Sequence, residues 1–153
     1  MPLFFQMKRL LGRPGAEGAA EPGVHSTARF SEIIRNERAR CDRYGRFFSL
    51  VMFHVDDRRY PTPLMRKWIR RLRRRIRPID AMGWIDRNRL AVLLPSTPPS
   101  GAETFIASLQ CQPPPFDAVP AWNVFLYPCT PREQFETEAN ETRPADEQTI
   151  ERT

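Results

Sequence analysis

The chain has 153 residues, a length that suits one compact domain and is short for two. Its formal net charge of +6 is unevenly spread, because an acidic C-terminal segment leaves the core more basic than the whole chain. No apolar run approaches the roughly 20 residues that a membrane-spanning helix needs. Cys41, Cys111 and Cys129 lie far apart without the spacing of metal ligands, which predicts reduced thiols in the cytoplasm and no structural metal.

Two terminal segments have the composition of unstructured chain. Residues 12–23 read GRPGAEGAAEPG, and residues 131–153 carry seven acidic residues against three arginines. Neither segment can bury enough apolar surface to offset the entropy lost on ordering. We therefore predict a flexible N-terminal segment over 1–26, a folded domain over 27–128 and an acidic disordered tail over 129–153.

The first half of the domain predicts two helices around one buried strand. Ser26 and Thr27 can cap a helix that runs to Tyr44, with Gly45 as its stop. The apolar run Phe47–Val55 predicts a central strand that is covered on both faces. Thr62 and Pro63 then open a helix over Leu64–Arg77, which Pro78 ends.

The second half adds a hairpin, a helix and a last strand. The strands are predicted at Ala81–Ile85 and Arg89–Leu94, the helix at Ser100–Leu109 and the last strand at Trp122–Tyr127. This order predicts an α/β (α+β) domain in which helices pack on a mixed sheet of about four to five strands.

Several segments resemble the framework of GGDEF domains, the nucleotidyl cyclase domains of bacterial signalling. They are Arg43-Tyr44-Gly45 leading into Phe48–Phe53, Arg77-x-x-Asp80, Leu93–Thr97, and Gly101-Ala102 at the start of a helix. The resemblance covers about Thr27–Leu109. It implies a truncated nucleotidyl-cyclase-like fold.

The positions that would carry the chemistry depart from this family. The GGDEF turn reads Asp86–Leu90, so side chains replace the glycines that let a phosphate approach the backbone. Asn88 and Arg89 replace the acidic pair, and a cation there would repel Mg²⁺. His54 replaces the leading metal aspartate of the first strand, and Asp56 alone matches that motif.

Other signs of catalysis are also missing from the sequence. The family's guanine-contacting segment between two helices is absent, because Tyr60–Pro63 runs straight into one helix. No glycine-rich phosphate loop, Gly-x-Ser-x-Gly motif or Cys–His pairing is present. His54, without a second histidine or cysteine at metal spacing, is expected to be a hydrogen-bonded residue at the edge of the core. We predict no enzyme activity, no catalytic residues, no metal and no cofactor.

One functional motif of the family does match. Arg77 and Asp80 stand where active cyclases carry the RxxD inhibitory site, so the resemblance implies a cyclic di-GMP site at these two residues. Arginine can hold a guanine edge or a phosphate, and aspartate can accept from guanine N–H groups. The alternative is a helix-terminal arginine beside an aspartate that caps the next strand.

The helix Leu64–Arg77 concentrates positive charge on one face. Arg66, Arg70, Arg73 and Arg74 are candidate contacts to a protein partner or a membrane surface. A solvated or internally paired face is the alternative. Nucleic acid is disfavoured, because no base-reading motif accompanies the charge and Trp68 lies on the apolar stripe.

The sequence therefore favours a catalytically inactive GGDEF-like domain with a regulatory or scaffolding role. Gly83-Trp84, the strand Arg89–Pro95 and the segment Phe125–Pro128 also resemble degenerate domains associated with bacterial exopolysaccharide sugar transferases. That resemblance implies a membrane-bound sugar transferase as partner and a cytoplasmic, peripherally bound protein. A cyclic di-GMP receptor and a basic nucleic-acid-binding module are the alternatives.

Overall fold

The computed structural model describes residues 21–55, 62–110 and 120–128. These residues form three helices and four strands in the order α-β-α-β-β-α-β. In chain order they are α1 (Thr27–Tyr44), β1 (Phe48–His54), α2 (Thr62–Arg75), β2 (Ala81–Asp86), β3 (Arg89–Pro95), α3 (Pro99–Gln110) and β4 (Trp122–Tyr127). Every predicted element is confirmed, with bounds that differ by two residues or fewer at each end. The predicted tail 129–153, residues 1–20, Asp56, Cys111 and Cys129 lie outside the described residues.

The ends of α1 follow from its capping residues. The hydroxyl of Ser26 accepts a hydrogen bond from the Arg29 backbone N–H at 3.3 Å. Gly45 takes the left-handed conformation, with φ 62° and ψ 33°, and donates its N–H to the Cys41 carbonyl. Glycine adopts this conformation without the steric cost that a Cβ atom brings, so the helix ends there.

The sheet has the strand order β2-β3-β1-β4, and all neighbouring strands pair antiparallel. A mixed sheet was expected, but among the described residues parallel pairing is limited to the isolated bridge between His25 and Gly83. β1 lies inside the sheet, and its residues Phe48–Phe53 are all buried. This confirms the predicted central strand.

Helices cover both faces of the sheet. The side chains of Val51 and Phe53 pack with α2 and α3 on one face. Phe48, Leu50 and Met52 pack with α1 on the other face. Trp68 is fully buried in α2, and its ring meets Phe53 edge-on with ring centres 5.4 Å apart. Trp68 is therefore a core residue.

Residues 21–26, the described part of the segment predicted to be flexible, contact the edge strand of the sheet. The His25 N–H donates to the Met82 carbonyl at 2.9 Å, and the Trp84 N–H donates to the His25 carbonyl at 3.1 Å. Val24 packs against the core face that holds α2. Short polar segments of this kind carry no hydrophobic period, so their docking on a sheet edge escapes pattern analysis.

Gly83 in β2 lies directly against Phe30 of α1. A Cβ atom at this position would lie 2.3 Å from Cγ of Phe30, which is fully buried. We expect Gly83→Ala to lower the free energy of unfolding by about 2–3 kcal/mol, because α1 or the Phe30 ring must shift. Denaturant unfolding of the full chain measures this.

The control is Phe30→Ala, alone and combined with Gly83→Ala. Alanine lacks Cγ and Cδ2, two of the three Phe30 atoms that the added Cβ would meet, so the two losses should be less than additive by about 1 kcal/mol. Strictly additive losses would contradict the proposed contact.

Candidate functional site

The first candidate site is the hairpin end of the sheet, formed by the turn Asp86–Arg89, His54 and Asn123. Sheet pairing places His54 opposite Arg89. The Val55 N–H donates to the Asn88 carbonyl at 2.7 Å, which fastens the end of β1 to the turn. The sequence positions that correspond to the cyclase turn and the first metal aspartate are therefore adjacent in space.

The carboxylate of Asp86 forms hydrogen bonds and an ion pair within its own turn. It accepts the Asn88 backbone N–H at 2.9 Å and Nε of Arg89 at 2.6 Å, and it also pairs with Nη2 of Arg89. Burial on its own raises the pKa of Asp86, but these hydrogen bonds and the Arg89 charge outweigh it and lower the pKa. The Asp86 carboxylate is therefore ionised, and its charge is balanced by the guanidinium of Arg89.

At the hairpin end, His54 forms a side-chain hydrogen bond to β4. Its Nε2 lies 2.7 Å from Oδ1 of Asn123 and donates a hydrogen bond to it. The geometry agrees with a hydrogen-bonded histidine at the edge of the core. Within residues 21–55, 62–110 and 120–128, no group of three or more His, Cys, Asp and Glu side chains is placed to hold a metal ion.

The predicted pair Arg77 and Asp80 lies at the opposite end of the sheet, and the structure does bring the two side chains together. Asp80 Oδ2 accepts the Arg77 backbone N–H at 2.7 Å, and Oδ1 lies 3.2 Å from Arg77 Nη2. The same Nη2 donates to Oγ1 of Thr97 at 2.9 Å and to the Pro95 carbonyl at 3.3 Å. The pair thus joins the α2–β2 turn to the β3–α3 connection.

The two members of this pair differ in exposure. The side chain of Asp80 is only 2% exposed, whereas that of Arg77 is 52% exposed. Asp80 therefore acts as a buried anchor for its own turn, and a ligand could reach only the guanidinium. This geometry favours the interpretation as a strand-capping aspartate beside a helix-terminal arginine.

The predicted contact arginines lie along the exposed face of α2. Arg66 pairs with Glu21 across 2.8 Å, so the residues before α1 neutralise one of its charges. Arg70, Arg73 and Arg74 are exposed. α2 itself contains no acidic residue, and it ends with three arginines in its last turn. The hypothesis of a charged contact surface is thus geometrically possible for three of the four arginines.

The structure adds polar contacts that the sequence did not predict. The Tyr127 hydroxyl donates to Oδ1 of Asp42 at 2.6 Å, and the guanidinium of Arg38 lies 5.1 Å from the ring centre. Burial and the bond to Asp42 raise the pKa of Tyr127. These contacts depend on how β4 pairs with β1, for which the sequence carries no local signal.

A pocket of about 540 Å³ lies next to this cluster. Its lining is formed by Cys41, Asp42, Gly45, Arg46, Phe47, Pro98, Pro99, Leu126 and Pro128. Burial raises the pKa of the Cys41 thiol, and the carboxylates of Glu37 and Asp42 add to the shift. The thiol is therefore protonated at neutral pH, which makes it a poor nucleophile.

No helix of the described residues is long and apolar enough to cross a membrane.

The Asp86 contacts predict a specific pH dependence. A carboxyl whose folded pKa is lowered contributes stability above its unfolded pKa of about 3.9, and this stability is lost as the pH falls through the folded pKa. The difference in unfolding free energy between the wild type and Asp86→Asn should be constant above about pH 5 and shrink at lower pH. Denaturant titrations at several pH values measure it. A difference that stays constant or grows towards pH 2 would contradict the assignment.

The anchoring role of Asp80 predicts a loss of stability. Asp80→Ala should lower the unfolding free energy by about 2 kcal/mol, because the hydrogen bonds that the Asp80 carboxylate accepts from the Arg77 N–H and guanidinium are lost. Asp80→Asn keeps one acceptor oxygen and should cost less. If Asp80→Ala stays within about 0.5 kcal/mol of the wild type, the carboxylate is not needed by the fold and is free for a ligand.

Comparison with known proteins gives matches among solved structures alone. No protein-family model matches the chain, and no curated protein matches it. The diguanylate cyclase SiaD of Pseudomonas aeruginosa, solved in complex with its activator SiaC, matches with a TM-score of 0.55 and 17% identity. The match covers 90% of this chain and 62% of the SiaD chain, so this chain spans less than two thirds of SiaD.

Two further structures have lower TM-scores. The GGDEF domain of TpbB (YfiN) of Pseudomonas aeruginosa gives 0.48 at 18% identity, over 66% of this chain and 70% of that one. The GGDEF domain of DgcB of Caulobacter crescentus, in complex with c-di-GMP, gives 0.46 at 11% identity, over 71% and 77%. With the strand order and the SiaD match, the chain has an α+β fold of the GGDEF, nucleotidyl-cyclase-like type.

Proposed function

We propose that this chain is a catalytically inactive GGDEF-like domain that acts as a regulator or scaffold through contact with a protein partner. The observation that carries this proposal is the charge arrangement at the hairpin end. Arg89 pairs with Asp86 there, and His54 is hydrogen-bonded to Asn123. Nucleotidyl transfer needs carboxylates that hold Mg²⁺ against phosphate oxygens.

The backbone of the turn supports the same proposal. A phosphate can approach a turn closely where glycines leave the N–H groups accessible. Arg87 and Asn88 are exposed and bear side chains, and the Asn88 N–H is already bonded to Asp86. The Asn88 carbonyl is bonded to Val55. The backbone N–H and carbonyl of Asn88 are therefore already hydrogen-bonded within the domain and are not available to a nucleotide.

A protein partner is the natural target of a domain of this kind. SiaD, which shares the fold, is regulated by the protein activator with which it was solved. The resemblance of Gly83-Trp84 and the β3 strand to domains associated with exopolysaccharide synthesis suggests a membrane-bound sugar transferase as that partner. Affinity purification of the tagged full chain from its native bacterium should recover such an enzyme. Recovery of no protein would contradict the scaffold role.

A cyclic di-GMP receptor is the second candidate. The half-exposed guanidinium of Arg77 favours it, since arginine binds guanine edges and phosphates. The burial of Asp80 counts against it, because a ligand would have to displace the bonds that anchor the α2–β2 turn. Nucleic-acid binding is less favoured, since Trp68 is buried and cannot stack on a base.

The proposal predicts no nucleotide chemistry. The purified full chain incubated with GTP and Mg²⁺ should yield no cyclic di-GMP or linear dinucleotide by chromatography, because the metal-binding carboxylates are missing from the turn. Calorimetric titrations with GTP–Mg²⁺ and with cyclic di-GMP should give no heat of binding.

Arg77→Ala and Arg75→Ala separate the two candidates. Both remove one exposed arginine at the end of α2, but Arg77 alone belongs to the RxxD pair. Micromolar cyclic di-GMP binding that is lost in Arg77→Ala and kept in Arg75→Ala would establish the receptor instead. Any turnover of GTP would refute the inactive domain.

A further inference from the structure

One end of the sheet exposes large apolar side chains. Tyr44 is 61% exposed, Phe47 40% and Ile79 62%. These are three of the four large hydrophobic residues that the described part of the chain exposes, and the fourth, Trp122, is at the hairpin end. The three belong to the α1–β1 turn and the α2–β2 turn.

Strand direction brings these two turns together. β3 pairs antiparallel with both β1 and β2, so β1 and β2 run in the same direction. Neighbouring strands lie about 4.8 Å apart, so β1 and β2 begin about 10 Å from each other at the same end of the sheet. We call this the strand-start end: residues 43–47, the turn 76–80 and the β3–α3 connection 95–98.

Hydrogen bonds hold the strand-start end rigid. The Ser96 N–H donates to the Phe47 carbonyl at 2.9 Å, and Oγ of Ser49 donates to the Thr97 carbonyl at 2.6 Å. Arg77 bonds Thr97 from the other turn. The β3–α3 connection thus links the turn that carries Tyr44 and Phe47 to the turn that carries Ile79. The two turns that carry the apolar side chains are therefore held together by hydrogen bonds.

Arginines lie next to Tyr44 and at the end of α2. The guanidinium carbons of Arg43 and Arg46 lie 5.5 and 5.9 Å from the ring centre of Tyr44. α2 ends at the strand-start end, and its last turn has three exposed arginines. They are Arg73, Arg74 and Arg75, and none of them forms a side-chain hydrogen bond or ion pair with another described residue.

Among the described residues, Asp80 and Asp42 are the acidic groups of the two turns, and both form contacts of their own. Asp80 is buried under Arg77, and the carboxylate of Asp42 accepts the hydroxyl of Tyr127. The strand-start end therefore combines exposed aliphatic and aromatic groups with an excess of positive charge. Surfaces of this composition suit the headgroup region of a bilayer, where arginine meets phosphate and an amphipathic ring lies at the interface.

We propose that the strand-start end binds the surface of an anionic phospholipid membrane. Tyr44, Phe47 and Ile79 enter the headgroup region, while Arg43, Arg46 and the last turn of α2 contact lipid phosphates. Positive charge matches the negative surface potential of such a leaflet. Nucleic acid would use the arginines but would leave the apolar groups in water. This inference does not depend on the proposed function.

Vesicle co-sedimentation of the full chain tests the proposal. Binding to phosphatidylcholine vesicles that contain about 30% phosphatidylglycerol should exceed binding to pure phosphatidylcholine vesicles at least tenfold, since each arginine near an anionic surface adds attraction. Arg43→Gln/Arg46→Gln/Arg74→Gln should weaken it about tenfold or more. Tyr44→Ser/Phe47→Ser/Ile79→Ser, which keeps the net charge, should weaken it severalfold.

Each variant has a matched control away from this end. Arg29→Gln/Arg35→Gln/Arg87→Gln removes three exposed charges from the first half of α1 and from the hairpin turn, and Trp122→Ser removes an exposed apolar group at the hairpin end. Both controls should bind within about twofold of the wild type, and circular dichroism verifies that all variants fold.

Three outcomes would overturn the proposal. The first is no preference for anionic vesicles. The second is equal weakening by the two arginine variants, which would indicate that binding depends on the net charge of the protein and not on the strand-start end. The third is full vesicle binding by the apolar variant together with duplex DNA binding that the strand-start arginine variant loses, which would indicate a nucleic-acid contact instead.

Discussion

The whole structure depends on β1, a strand that is buried on both faces and paired along both edges. Its residues Phe48–Phe53 lie between β3 and β4. Such a strand is stable only if helices cover both faces of the sheet, and α1 on one side and α2 with α3 on the other meet this need. Its register also decides which loops meet at each end of the sheet.

The two ends of β1 have different chemistry. At the hairpin end, the polar groups of the turn are bonded to one another, with Asp86 held by Arg89 and His54 by Asn123. At the strand-start end, hydrogen bonds fix the backbone, and apolar and basic side chains face outward. The turn that we propose to be inactive and the surface that we propose to bind a membrane thus lie at opposite ends of one strand.

The elements of this fold were predictable because their signals are local. The cap at Ser26, the glycine stop at Gly45 and the unbroken apolar run of β1 each determine one boundary from neighbouring residues. The buried Trp68 followed from the apolar stripe of α2. Strand directions were harder to predict from the sequence, since antiparallel pairing of β3 with both neighbours depends on the three-dimensional path of the chain.

The site was only partly predictable for a similar reason. The sequence indicated that Arg77 and Asp80 act together, but the burial of Asp80 and the hydrogen bond from Arg77 to Thr97 depend on the β3–α3 connection, which is distant in the chain. The Asn123 partner of His54 comes from β4, and the docking of His25 on β2 carries no periodic pattern. Contacts between residues that are far apart in the sequence produce no local sequence pattern from which they could be predicted.

The central claim is that the hairpin end has lost nucleotide chemistry while the opposite end remains an interaction surface. Amide chemical shifts of the ¹⁵N-labelled full chain, recorded with Mg²⁺–GTP and then with anionic bicelles, test it in one measurement. We expect no shifts at residues 86–90 with the nucleotide, and shifts confined to residues 43–47 and 76–80 with the bicelles. Nucleotide-dependent shifts across the hairpin turn would contradict this account.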